Sequence, residues 1–188
     1  MASQVHKGLA GGGNFLAGFL RGRDPDRVLL VCKPNSFAAS GARDWFRREM
    51  GRDLPVFSDF SPNPKENDVV RGVERFRRLG AEAVVAVGGG SVLDAAKAIA
   101  GLLPLGNSVM DHLEGVGRAL PYRGPATPFV AVPTTAGTGS EATKNAVLSR
   151  RGESGFKKSF RHDALVAHTA IIDPLFLRGC PRDLMAAQ

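Results

Sequence analysis

Short continuous apolar runs alternate along this chain with stretches in which apolar residues recur every third or fourth position. Val28–Cys32 is a run of strand length, and Ala42, Trp45, Phe46, Glu49 and Met50 follow at helical spacing. Pro55–Ser58 reads as a second strand, closed by the turn Ser61-Pro62-Asn63-Pro64. Val69, Val70, Val73, Phe76 and Leu79 mark one face of a helix that Gly80 ends. Ala83–Val87 is a buried strand, and the helix after it shows Val92, Ala95, Ala96, Ile99, Leu102 and Leu103 on one side. Leu103–Gly124 reads as loop with a helical turn around Asp111–Glu114. Phe129–Val132, Asn145–Leu148, Phe156–Phe160 and Thr169–Ile172 are four further strands. The alternation predicts an α/β fold, a Rossmann-like, mostly parallel sheet with flanking helices.

Two polar loops at strand ends carry the candidate chemistry. The first, Gly88-Gly89-Gly90-Ser91, joins Ala83–Val87 to the helix after it. A helix N-terminus presents unpaired N–H groups and a partial positive charge, which suit a phosphate. Glycines there supply backbone angles barred to other residues and let a ligand approach the main chain. A plainer account makes Ser91 and Asp94 a capping box, with Lys97 pairing to Asp94 one turn on. The second loop, Pro133-Thr134-Thr135-Ala136-Gly137-Thr138-Gly139-Ser140-Glu141, follows Phe129–Val132. Ligands of parallel sheets bind beyond the carboxyl ends of the strands, where both loops fall. A nucleotide phosphate held between them is the expectation. The G-x-G-x-x-G fingerprint is absent, since position 93 is leucine.

At 188 residues the chain suffices for one well-buried domain, and its 43% apolar and 23% charged content is ordinary for a soluble protein. A net charge of +7 raises nucleic acid or an anionic substrate as partners. The arginines are dispersed over polar helix faces, and one Trp and one Tyr give bases little to stack on, so nucleic acid is not expected. No apolar run is long enough for a membrane and no signal pattern opens the chain, so a cytoplasmic location is expected. Cys32 and Cys180 lack metal-ligand spacing.

Asn63-Pro64, Gly88-Gly89-Gly90-Ser91-x-x-Asp94-x-x-Lys97, the threonine loop through Glu141, and Ile172-Asp173-Pro174 together resemble the nucleotide-binding half of an iron-containing (group III) alcohol dehydrogenase. The resemblance implies the N-terminal half of a two-domain architecture shared with dehydroquinate synthase. It places an NAD(P)-binding domain at 1–180 and, at 181–188, the start of a helical metal-binding domain absent from this chain. It implies that Gly89, Gly90 and Ser91 hold the cofactor pyrophosphate, with Asp94 near the nicotinamide side. Thr134, Thr135 and Thr138 would contact adenine, ribose and phosphates, unless they form only a polar turn. Asn63 would lie beside the cofactor, and Asn145 and Lys157 near the nicotinamide ribose, although Lys157 or the adjacent Lys158 could be surface charge.

Many family members that prefer NAD carry Asp after the first strand, where this chain has Lys33. A cation there would attract a 2′-phosphate and favour NADPH; the alternative is a loop lysine whose turn Pro34 fixes. The family's Fe²⁺ or Zn²⁺ ligands, one Asp and three His, belong to the helical domain, the first just beyond Gln188. His6, His112, His162 and His168 match none of them, so no metal ligand and no catalytic residue is assigned within this chain. Ser36-Phe37-Ala38-Ala39-Ser40-Gly41-Ala42, Asn63-Pro64-Lys65 and Gly139-Ser140-Glu141-Ala142-Thr143 are similar to phosphonoacetaldehyde reductases. That implies NAD(P)H-dependent reduction of a small phosphonate aldehyde to 2-hydroxyethylphosphonate, in a homodimer. The rivals are a dehydroquinate synthase-like lyase and a non-catalytic nucleotide-binding fragment.

Overall fold

The computed structural model describes residues 4–7, 11–153 and 155–187. Six strands form one parallel sheet: β1 (Gln4–Lys7), β2 (Val28–Cys32), β3 (Val56–Phe57), β4 (Ala83–Gly88), β5 (Phe129–Pro133) and β8 (Thr169–Ile172). Their spatial order is β1-β8-β5-β4-β2-β3. The remaining two, β6 (Asn145–Arg150) and β7 (Phe156–Arg161), make a separate antiparallel hairpin. The helices are α1 (Gly11–Arg21), α2 (Pro34–Ala39), α3 (Ala42–Met50), α4 (Glu66–Leu79), α5 (Gly90–Leu102) and α6 (Arg182–Ala186). No described helix is long and apolar enough to cross a membrane. Met1 and Gln188, the outer limits of the expected domain division, lie outside the described residues.

The period of two along each central strand sends alternate side chains to opposite faces. Leu29, Val31, Val84, Ala86, Phe129 and Ala131 join one core with Val69, Val73 and Phe76 of α4 and most of α5. Val28, Leu30, Cys32, Val85, Val87, Val130 and Val132 join another with Leu16 and Leu20 of α1, Phe37 and Phe46. Strands apolar on both faces are what a sheet covered by helices on each side requires. After β2 the chain goes out to β3 on one side and returns to β4 on the other. This reversal of direction opens a crevice beyond the carboxyl ends of β2 and β4.

Several sequence expectations change. The helix at 90–102 has no solvent side: every residue from Val92 to Leu102 is buried. Its outer face is roofed by the hairpin, whose Ala146, Leu148 and Phe160 belong to the same core. Gly101 makes this possible, because a Cβ there would stand 2.5 Å from Leu165 Cδ2 and 3.0 Å from Phe160 Cε1. The second strand shrinks to Val56–Phe57, and the helical turn lies at Val109–His112. Strand β1 and helices α1 and α2 were not anticipated; the glycines at 11–13 mask the helical spacing of Leu16 and Leu20.

Candidate cofactor site

The two polar loops lie side by side because β4 and β5 are neighbours in register, Gly88 opposite Pro133. The Thr134 N–H donates to Gly88 O at 3.1 Å and ties the loops together. The threonine loop needs glycine for its path, with φ of 114° at Gly137 and 64° at Gly139. The glycine loop does not: none of Gly88, Gly89 and Gly90 has positive φ, and Gly89 is extended at φ −77°. Glycine is required there for space. A Cβ on Gly88 would meet Val92 Cγ2 at 2.5 Å, one on Gly89 would meet Thr135 Oγ1 at 3.2 Å, and one on Gly90 would meet Thr138 Cγ2 at 3.1 Å. The close approach expected of a ligand is thus made first by the threonines themselves.

The capping box is not formed. Gly89 is the N-cap residue of α5 and Ser91 lies inside the helix, with no side-chain cap bond. The helix therefore begins with N–H groups that no side chain caps and with no acidic residue in its first turn. Ser91 instead lines a cavity of about 220 Å³ with Asn63, Pro64, Gly90, Asp94, Thr138, Ser140, Val147, Ser149 and Lys157. The Ser61–Lys65 turn that brings Asn63 here is held by Asp68, whose Oδ2 accepts from the N–H groups of Ser61 (3.0 Å) and Lys65 (2.9 Å). Burial alone would push the Asp68 carboxyl up, but those N–H groups and the Arg71 guanidinium hold it below the usual range. Pro64 O in turn accepts from Ser149 N at 2.9 Å, which docks the hairpin on the turn.

Asp94 forms the floor of the cavity. Its Oδ2 accepts from Val147 N at 3.2 Å, while Oδ1 is buried without a hydrogen-bond partner among the described residues. Burial pushes this carboxyl up, against the opposing pull of Lys97, the Val147 N–H, the Ser140 hydroxyl and Lys157. Lys97 Nζ lies 3.9 Å from Asp94 Oδ1, too far for a hydrogen bond, and its bonds go elsewhere. Thr134 and Thr135 line a second cavity of about 90 Å³ with Ser36, Ser40, Phe176, Gly179, Cys180, Pro181 and Leu184. Because Gly89 packs on Thr135 and Gly90 on Thr138, the two cavities flank one glycine–threonine contact.

Of the expected residues, Asn63, Gly90, Ser91, Asp94, Thr138 and Lys157 share the larger cavity, and Gly89, Thr134 and Thr135 lie at or beside the smaller. Lys157 stands opposite Ser149 in the hairpin, while Lys158 lies toward Gly115, so the two lysines separate by strand alternation. Asn145 does not line either cavity; its Oδ1 is buried and has no hydrogen-bond partner among the described residues. Lys33 stands apart, its ammonium donating to Ser58 O at 3.0 Å and to Phe60 O, above the Phe60 ring. Lys65, which the sequence offers only as part of the Asn63-Pro64-Lys65 motif, and Arg151, which no motif marks, line an adjoining cavity of about 190 Å³ with Asn63, Ser149 and Lys157. A charge flanking a turn gave no signal of this.

Asp94 Oδ1 and Thr135 Oγ1, orphaned among the described residues beside an uncapped helix N-terminus, fit a polar, phosphate-bearing ligand such as a dinucleotide. A metal ion does not fit: no group of three or more His, Cys, Asp or Glu able to hold one occurs among the described residues. His112 Nδ1 is 3.0 Å from Leu120 O, His162 accepts from Ala164 N, and His168 Nδ1 is 3.2 Å from Thr169 Oγ1.

Comparison with known proteins gives this geometry its context. A family model described as iron-containing alcohol dehydrogenase matches residues 11–174. The 4-hydroxybutyrate dehydrogenase of Cupriavidus necator is 34% identical over 161 residues, 86% of this chain and 42% of that protein. The NAD-dependent methanol dehydrogenase of Bacillus methanolicus is 35% identical over 140 residues, 74% of this chain and 35% of its own length. The crystal structure of a sulfoacetaldehyde reductase from Bifidobacterium kashiwanohense in complex with NAD⁺ superposes with a TM-score of 0.83 at 32% identity, covering 98% of this chain and 48% of that one. The chain thus spans less than half the length of each of these relatives.

Proposed function

Because the chain belongs to the iron-containing alcohol dehydrogenase family, we propose that it supplies the cofactor-binding half of an NAD(P)H-dependent enzyme reducing a small aldehyde to an alcohol. The observation that carries this reading is the uncapped start of α5 pressed against the threonine loop, with Asp94 buried and half-partnered below. The free N–H groups at Gly90 and Ser91 hold the pyrophosphate, helped by the helix dipole. Thr134 and Thr135 take the adenosine side, and Thr138 lies between the two cavities. Asn63, Asp94 and Lys157 surround the nicotinamide side, with Asn145 behind them. When bound, the dinucleotide supplies the hydride. Among the described residues no group of three or more His, Cys, Asp or Glu able to hold Fe²⁺ or Zn²⁺ occurs.

A finer reading concerns the substrate. Lys65, Arg151 and Lys157 line the cavity beside the nicotinamide side with no carboxylate among its lining residues. None of the three makes an ion pair among the described residues. Such a surface favours an aldehyde with an anionic head, and the relative named for sulfoacetaldehyde fits that pattern. Phosphonoacetaldehyde, reduced to 2-hydroxyethylphosphonate, is the substrate we infer. Lys33, held by two carbonyls, contributes to NADPH preference through its field rather than through direct contact.

Calorimetric titration of the metal-free chain with NADPH and NADH tests the reading. Saturable binding is expected, with NADPH favoured and that preference reduced in Lys33→Ala. Absence of binding by a chain with native circular dichroism would overturn the cofactor assignment, and an unchanged ratio in Lys33→Ala would remove the role of that lysine.

A further inference from the structure

Lys97 places an ionisable side chain in the core, where a charge is costly to desolvate. It is fully buried, in a helix whose other buried residues, Asp94 and Gly101 apart, are Ala, Val, Ile and Leu, and it lines neither cavity of the site. An unbranched apolar side chain of similar length would fill the same space without desolvating a charge. Packing therefore does not account for it.

Its bonds do. Nζ donates to Thr143 O at 2.8 Å, Thr143 Oγ1 at 3.0 Å and Asn145 O at 2.9 Å. Among the side chains, an ammonium on a flexible stem carries three donors on one atom. All three acceptors belong to the short stretch that leads from the threonine loop into β6. That stretch sets where the hairpin, with Val147, Ser149 and Lys157, meets the Ser91–Asp94 turn of α5 across the larger cavity. Nζ also remains 3.9 Å from Asp94 Oδ1, close enough to compensate its charge while leaving that oxygen unbonded.

We propose that Lys97 is the positioning residue of the nicotinamide-side cavity, clamping Thr143 and Asn145 to α5 so that the hairpin stands at binding distance from Ser91 and Asp94. The proposal rests on the cofactor reading above. Besides Asp94 on its own helix, Glu141 faces the ammonium from the threonine loop, and the positive charge of Lys157 on β7 acts on Asp94 without an ion pair. Burial, opposed by Asp94 and Glu141, brings the ammonium down to about 8. Deprotonation leaves two donors for three acceptors, so the clamp loosens in mildly alkaline solution.

The experiment measures the affinity of the chain for NADH and for AMP from pH 6.5 to 9.5, in wild type and in Lys97→Met, a window that spans the lowered ammonium at about 8 and stays below the ordinary amine. In wild type, NADH affinity is expected to hold below about pH 8 and to fall above it. Lys97→Met should bind NADH on the order of tenfold more weakly, as misplacement of a binding group does, with the alkaline fall abolished. AMP, which reaches only the adenosine side, should bind both proteins alike. NADH binding unchanged in Lys97→Met, an alkaline fall that persists in it, or equal loss of AMP and NADH would each overturn the proposal. If Lys97→Met does not fold, Thr143→Val, which deletes one acceptor at an exposed residue, must weaken NADH and spare AMP; failure to do so overturns it too. A wild-type chain that binds neither ligand overturns the cofactor reading together with this inference, whereas wild-type binding with an indifferent Lys97→Met overturns this inference alone.

Discussion

Gly88, Gly89 and Gly90 show how one residue type carries different reasons at neighbouring positions. From the sequence they read as conformational licences, yet their backbone angles are open to any residue and the constraint is the crowding of Val92, Thr135 and Thr138. No spacing rule reveals that, because the threonines arrive from another strand. Gly90→Ala should therefore cost about 1–3 kcal/mol, as overpacking does. Adding Thr138→Ser, which removes the Cγ2 standing 3.1 Å away, should return part of it in thermal unfolding. A fully additive pair would disprove the contact as the cause. The positions of Ser91, Asp94 and Thr138 were legible from the sequence; their contacts were not. Asp94 as a cap and Lys97 as its partner were the local answers, and the hairpin, far along the chain, supplies the actual partners through Val147, Thr143 and Asn145.

Elements were legible where one pattern ran unbroken. Strands β2, β4 and β5 are apolar on both faces and announced themselves, as did α4, which ends before Gly80. The hairpin was seen as strands, but nothing in its local pattern said that it leaves the sheet and roofs α5. It is fastened on α4 by Arg150 to Glu66 at 3.2 Å and on the turn before α4 by Ser149 N to Pro64 O. Arg150 also lies over the Phe156 ring, and Glu66 Oε2 and Arg150 Nε are buried without a hydrogen-bond partner among the described residues. Glu66→Ala should cost no more than about 1 kcal/mol, because Arg150 is partly exposed and screened. Its clearer sign should be faster hydrogen exchange at Ser149 while β4 stays protected; uniform protection in both proteins would show the ion pair to be idle.

For the molecule as a whole, the same buried ammonium couples stability to pH. Lys97 is ordinary in the unfolded chain at 10.5 and about 8 when folded, so below pH 8 folding carries the full cost of burying its charge. Between those values the unfolded state binds more protons, and stability should rise with pH by up to about 3 kcal/mol from this group. Urea denaturation at pH 7.5 and 9.5 should show the rise in wild type and not in Lys97→Met; the opposite slope would contradict the burial of a charged lysine. Strand order carries a consequence of another kind, in the timing of synthesis. Edge strand β1, made before the other described strands, has only β8 as its partner in the sheet among the described residues, so it waits for Thr169–Ile172 before it can be seated. The inner strands β2, β4 and β5, the far edge strand β3 and the residues of the larger cavity are all complete by Lys157. Since chains fold from the N-terminus as they emerge, the order of assembly here inverts the order of the strands: the interior and its ligand pocket close first, and β1 is stitched on last.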